Sequence, residues 1–291
     1  MKRNSLAIVY ALLAVVMWST VATAFKLSLE WLTVLQLTAG ACFFSTIVLG
    51  VCLAIRNELG IALTSLSKSY RVALLLGALN PFLYYLVLLK AYSLLPAQVA
   101  QSINYTWAIT LMLLSVVILQ HQIKREDFVG AALSYVGVIF VSFAGKSITG
   151  EVNYLGIALA LGSTLIWALY WLFNAKDNRP PLIKLFQSFL LALPMLLITA
   201  YFVDGFPENF AWEQLASVAY IGFFEMGFSF IFWQMALHYA DSVSRVSTLI
   251  FLSPLLSLVI IQNVLNEPIT LLTLVGLCLI IIGVLYQQFR R

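Results

Sequence analysis

Runs of about twenty uncharged, mostly apolar residues follow one another along almost the whole chain, and this pattern leaves few folds open. The runs are continuous rather than alternating, so they read as membrane-crossing helices and not as barrel strands. Ten can be drawn, at about 5–25, 31–55, 72–93, 97–119, 128–144, 154–174, 182–203, 214–238, 242–264 and 269–289. Only 56–71 and 204–213 between them read as loops. Charged residues make up 10% of the chain, against roughly 25% in a soluble domain, which excludes a water-soluble globule. Ten spans in this length leave about 29 residues per span, a helix plus a short connection and no soluble domain.

The charges that remain set an orientation. If the N-terminus is cytoplasmic, 13 of the 16 Lys and Arg fall inside, and only Lys26, Lys90 and Lys146 fall outside. The expected external loop 204–213 carries Asp204, Glu208 and Glu213 and no base. The asymmetry predicts a multi-pass protein of the plasma (inner) membrane with both termini cytoplasmic. The net charge of +4 therefore reflects topology, and no nucleic-acid partner is expected. The first run imitates a signal peptide, with Lys2 and Arg3 ahead of it and Ala22-Thr23-Ala24 behind. An internal repeat argues that it is retained.

Gly130 and Gly137 are seven residues apart, as are Gly276 and Gly283, at an offset of 146. At similar offsets Trp18 faces Trp167, and Asn80 faces Glu225. The chain thus reads as two five-span units, 1–145 and 150–291. Five is odd, so the second unit lies upside down relative to the first. Inverted repeats of this kind build secondary transporters with the substrate site near the bilayer midplane.

The second half resembles the EamA-type repeat of the drug/metabolite transporter superfamily. Ala236-Leu237 ends a helix, Pro254 lies within the next, Glu267 follows in the turn, and Gly276 and Gly283 lie in the last helix. The opening WSTVATAFK, with Trp18 and Lys26, is similar to the family's first helix. The resemblance implies an all-α integral membrane protein of ten transmembrane helices in two inverted five-helix repeats, and a carrier of small organic metabolites, often an exporter. The first half departs from the pattern, with Ala108 at the Pro position and His121 at the Glu position. The two halves are therefore not expected to bend alike.

Polar groups inside the spans mark the candidate substrate site. Glu225, among Phe223, Phe224 and Phe228, is the one acid away from a helix end. An ionised carboxylate there costs on the order of 3 kcal/mol on insertion scales, so it reads as a proton-coupling or substrate-ammonium site, or as a protonated packing contact. Asn80 is its counterpart, followed by Pro81, which removes a helix hydrogen bond, and Tyr84 lies one turn on. Gln98, Gln101, Asn104 and Tyr105 form a stripe on one face of span 97–119, either lining a wet cavity or bonding a neighbour. Trp167, Tyr170, Trp171 and Asn174 form an aromatic stripe on span 154–174. With Trp18 it is either packing or the wall of a cavity suited to an aromatic, aliphatic or cationic substrate. Arg245 opens span 242–264, either snorkelling to the surface or clamping a carboxylate.

Cys42, Cys52 and Cys278 lie in apolar runs with no CxxC pair and read as small hydrophobes. No HExxH, GxSxG, Walker loop or Cys/His cluster appears, so neither a metal nor another cofactor is expected. The partners expected are a small-molecule substrate and the lipid bilayer; monomer or homodimer is left open. A secondary transporter of an amino acid or similar amphipathic compound is the leading reading; an integral-membrane enzyme is one alternative, disfavoured because one mid-membrane acid supplies no catalytic set. A passive channel or small-molecule sensor is the other alternative.

Overall fold

The structure, a computed structural model, describes residues 3–119, 125–205, 211–241, 246 and 248–290. Among them there is no strand. The helices are α1 (Arg3–Ser28), α2 (Val34–Ile55), α3 (Leu59–Gly77), α4 (Tyr84–Leu94), α5 (Ala97–Asn104), α6 (Trp107–Leu119), α7 (Arg125–Thr149), α8 (Tyr154–Lys176), α9 (Pro181–Val203), α10 (Trp212–Tyr220), α11 (Ser229–Tyr239), α12 (Leu252–Leu265) and α13 (Leu271–Arg290). A π-helical segment, Ala78–Leu83, joins α3 to α4, and another, Ile221–Phe228, joins α10 to α11. A 3₁₀ turn, Thr248–Phe251, leads into α12.

Among the described residues, seven helical stretches are long and apolar enough to cross a membrane, among them Leu59–Leu94 and Trp212–Tyr239, and two shorter apolar helices follow near the C-terminus. Large apolar side chains stand on the outside of the bundle, such as Ile139, Phe143, Ile198 and Ile282. A surface of this kind is stable against lipid and not against water.

Helices of residues 1–145 pack mainly on helices of residues 150–291. α1 lies against α11 and α12, α2 and α3 against α9, and α4 against α8. The most extensive contact joins α7 to α13, where the paired glycines meet crosswise. A Cβ on Gly137 would come within 2.5 Å of the Gly276 carbonyl oxygen, and one on Gly276 within 2.7 Å of the Gly137 oxygen. Gly283 meets the Gly130 carbonyl in the same way, and the Ser134 hydroxyl donates to Ile280 O at 3.2 Å. Without hydrophobic drive between helices in lipid, such close backbone approach is what holds them together.

The expected loop 56–71 is instead mostly helix, because α3 begins at Leu59. Its Ser and Thr hydroxyls bond back to carbonyls on the preceding turn, Thr64 to Gly60 O at 2.8 Å and Ser69 to Ser65 O at 3.1 Å, so the polar sequence does not unwind it. Gln187 fixes this stretch from α9, donating to Ala62 O at 2.6 Å and to the Ser65 hydroxyl at 3.0 Å. The expected asymmetry of bending is also reduced. The helix breaks at Tyr105–Thr106 although Ala108 stands at the Pro position, close to where the 3₁₀ turn interrupts the second half. Past the end of α8, Asp177 pairs with Arg179 at 2.5 Å. Burial alone would raise the Asp177 pKa, but the hydrogen bonds from Arg179 outweigh it and hold the carboxyl below its ordinary value.

Gly276→Leu should lower the thermal stability of the purified protein by about 3 kcal/mol, the scale of overpacking against backbone. Gly60→Ala, where no atom lies within 4 Å of the added Cβ, should leave it nearly unchanged. Equal melting temperatures for the two variants would show that the glycine crossing carries no packing energy.

Candidate functional site

The two π-helical segments set the geometry. Pro81 has no N–H, and Asn80 takes a non-helical φ, ψ of −145°, 117°, so the helix is interrupted at the middle of the first half. In the second half the interruption carries Glu225, and the Ser229 hydroxyl bonds the Glu225 carbonyl oxygen that the altered register exposes.

Beside Glu225 lies a cavity of about 100 Å³, walled by residues of both halves. It brings together eight of the residues expected from sequence: Trp18, Tyr84, Gln101, Asn104, Tyr105, Trp167, Trp171 and Glu225. Trp167 stacks on Tyr84 with ring centroids 4.4 Å apart. Trp18 and Trp167 both touch the Phe230 ring, each at 6.0 Å between centroids. The matched tryptophans thus meet through a shared neighbour.

Glu225 is nearly buried. Its Oε1 accepts a hydrogen bond of 3.0 Å from the Tyr85 hydroxyl, whereas Oε2 has no partner. Trp171 Nε1 is likewise buried and unbonded. Both groups belong to residues that line the cavity, and each is costly to leave unpaired. Asn104 is more constrained, since it accepts from the Tyr84 hydroxyl at 3.3 Å and donates to the Ser163 hydroxyl at 3.0 Å. Gln101, 5% exposed, makes no side-chain hydrogen bond among the described residues, so its amide stands free at the cavity wall.

Three expected residues lie apart from the cavity wall. Asn80 is fully buried beside Tyr170, and neither atom of its amide makes a hydrogen bond of standard geometry. Tyr170 itself stacks behind Trp167 at 5.4 Å. Gln98 turns towards the C-terminal end, donating to Pro268 O at 3.0 Å and accepting from the Thr273 hydroxyl at 2.7 Å. Arg245 and His121 lie outside the described residues.

Gln98 belongs to a junction at one end of the bundle. Lys26 donates to Tyr92 O and Leu95 O, each at 3.0 Å, where α4 ends. Glu267 accepts from Ala97 N at 2.8 Å and Gln98 N at 3.3 Å, where α5 begins. A cation at a helix C-terminus and an acid at a helix N-terminus each complement the helix dipole, so one turn is pinned from both halves.

Reading the sequence did not find Tyr85, Phe25, Tyr92, Trp107, Phe230 or Trp233. The last five line the cavity and Tyr85 holds its acid. These residues sit in uninterrupted apolar runs, where no polar face marks the side turned inward. The one available signal was the offset of 145, which pairs Tyr85 with Phe230.

Comparison with known proteins identifies the family and the fold. The sequence profile of the EamA-like transporter family matches residues 5–143 and again 154–286. An uncharacterized transporter of Archaeoglobus fulgidus is 24% identical, covering 96% of this chain and 97% of its own. The uncharacterized transporter YvbV of Bacillus subtilis is 26% identical over 75% of this chain and 72% of its own. Protein PecM of Dickeya dadantii is 24% identical over 73% and 72%. A protein of known crystal structure shares the fold, with a TM-score of 0.68 at 18% identity over 97% of this chain and 96% of that one. The chain is a multi-pass membrane transporter and belongs to the EamA-like transporter family.

Proposed function

We propose that the protein is a secondary transporter that moves a small organic metabolite, an amino acid or similar amphipathic compound, across the plasma membrane, with Glu225 coupling the movement to protons. The observation that carries this reading is a single acid, bonded through one oxygen and free at the other, on the wall of an aromatic cavity shared by both halves. Aromatic faces suit the apolar or cationic part of such a substrate, and the free carboxylate oxygen suits its ammonium group. Export is the direction the family resemblance favours.

The same reading takes the chain as ten spans in two inverted units, 1–145 and 150–291. Supporting it are the two separate matches to the family profile and the crosswise contact of the two glycine pairs that repeat at an offset of 146, Gly137 meeting Gly276 and Gly130 meeting Gly283. An inverted pair produces such a contact because each helix then meets the copy of itself running the other way. The distribution of Lys and Arg supports cytoplasmic termini. One acid without a partnering base or nucleophile favours carriage over catalysis.

Two experiments in proteoliposomes test this, using a labelled amino acid chosen by its thermal stabilisation of the purified protein. Gln101→Leu and Tyr105→Leu should each reduce transport at least tenfold with melting temperatures near that of the parent. Early melting with normal transport per folded molecule would make these residues packing contacts. Glu225→Gln keeps the side-chain shape but cannot ionise. It should fold as well as the parent and retain exchange at equal pH, while transport driven by a pH gradient falls to background. Parent-like gradient-driven transport from pH 5 to 9 would remove Glu225 from the coupling step. Saturable uptake with exchange sets a carrier apart from a channel.

A further inference from the structure

A second chamber, of about 540 Å³, opens near Arg56 and His238. Its rim carries Arg56, Glu58, Gln234 and His238, polar enough to hold water and a hydrated solute. By the charge distribution this is the cytoplasmic end. Among the described residues, Phe230 alone lines both this chamber and the cavity at Glu225.

Phe230 is 3% exposed, the second residue of α11, just past the π-helical segment that carries Glu225. Its ring meets Trp18 of the first half at 88° and Trp167 of the second at 68°, both edge to face. These contacts are apolar, so the ring can leave them without stranding a polar atom. Tyr85, its counterpart at an offset of 145, differs on this point. It is fully buried and anchored to Glu225 by its hydroxyl. One of the two matched aromatics is therefore tethered and the other is not. The untethered one separates two chambers that together run from the central acid to the end of the bundle.

We infer that Phe230 is the partition on the substrate path between the central cavity and the chamber at Arg56, and that its ring must move aside for substrate to pass. This rests on reading the central cavity as the substrate site. Displacing the ring would join the chambers. The helix to which it is attached begins where α-helical hydrogen bonding resumes after the π-helical segment, a place where a change of register moves a side chain without unfolding the helix.

The test uses full-length protein with Cys42, Cys52 and Cys278 replaced by Ala and with Gln101→Cys as the reporter, in vesicles exposing the Arg56 face. A charged, membrane-impermeant methanethiosulfonate is the probe. Phe230→Ala should raise the labelling rate of the reporter from that face at least tenfold, and Phe230→Leu should raise it less. Phe25→Leu, on the central cavity alone, should leave the rate unchanged and so controls for general loosening; the Leu variants serve if the Ala variant does not fold. Unchanged rates in the Phe230 variants, or equal acceleration in Phe25→Leu and Phe230→Leu, would overturn the partition. If the reporter still reacts in those cases, the cavity reading stands. A reporter inert from both faces in every variant would defeat both.

Discussion

The contact between Tyr85 and Glu225 is the constraint around which the rest is arranged. A carboxyl group in the interior of a membrane protein is costly to hold unless its oxygens find partners. Tyr85 supplies one partner from the opposite half of the chain, at 3.0 Å. That bond fixes the acid in orientation and links the halves at the level of the interruptions in both. The second oxygen is left unpaired, which is a cost in the empty protein and a place for a proton or an ammonium group in the working one. Aromatic rings make up much of the cavity wall beside it.

Around this centre the halves are joined in ways that differ in strength. At α7 and α13 backbone touches backbone through paired glycines, a rigid junction with no room for a side chain. At one end of the bundle the turn between α4 and α5 is pinned by Lys26 and Glu267 through hydrogen bonds to main-chain atoms. At Phe230 the halves meet through ring edges, without a hydrogen bond from that side chain. A carrier that opens alternately to two sides needs some contacts between its halves to persist and others to yield. The glycine crossing fits the first role and the aromatic contacts the second.

Much of this was legible in the sequence where polarity breaks an apolar run. Glu225 stood out because an acid is rare at that depth, and the glycine pairs because their spacing recurs. Asn104 and Gln101 stood out as amides on one helical face. Where every position is apolar the sequence carries no such mark, and Phe230 and Phe25 could not be told from lipid-facing neighbours. Polarity also misled in the other direction. The Ser and Lys residues of 59–71 resemble a loop, yet hydroxyls that bond back to their own helix satisfy themselves there. Gln98 shared the stripe of Gln101, but the end of α13 reaches it first and takes both functions of its amide. Asn80 matched Glu225 in register, and the structure buries it beside Tyr170 instead of on the cavity wall. Register predicts position along a helix, while the neighbour that arrives is decided by packing across the bundle.

The central claim is that the free oxygen of Glu225 is open to a small molecule arriving from within the membrane protein. Modification by a membrane-permeant carbodiimide, followed by mass spectrometry of the peptide containing Glu225, tests this directly. The account predicts that Glu225 is modified in the folded protein, and that the modification diminishes when the stabilising amino acid is present. A Glu225 that stays unmodified until the protein is denatured would contradict it.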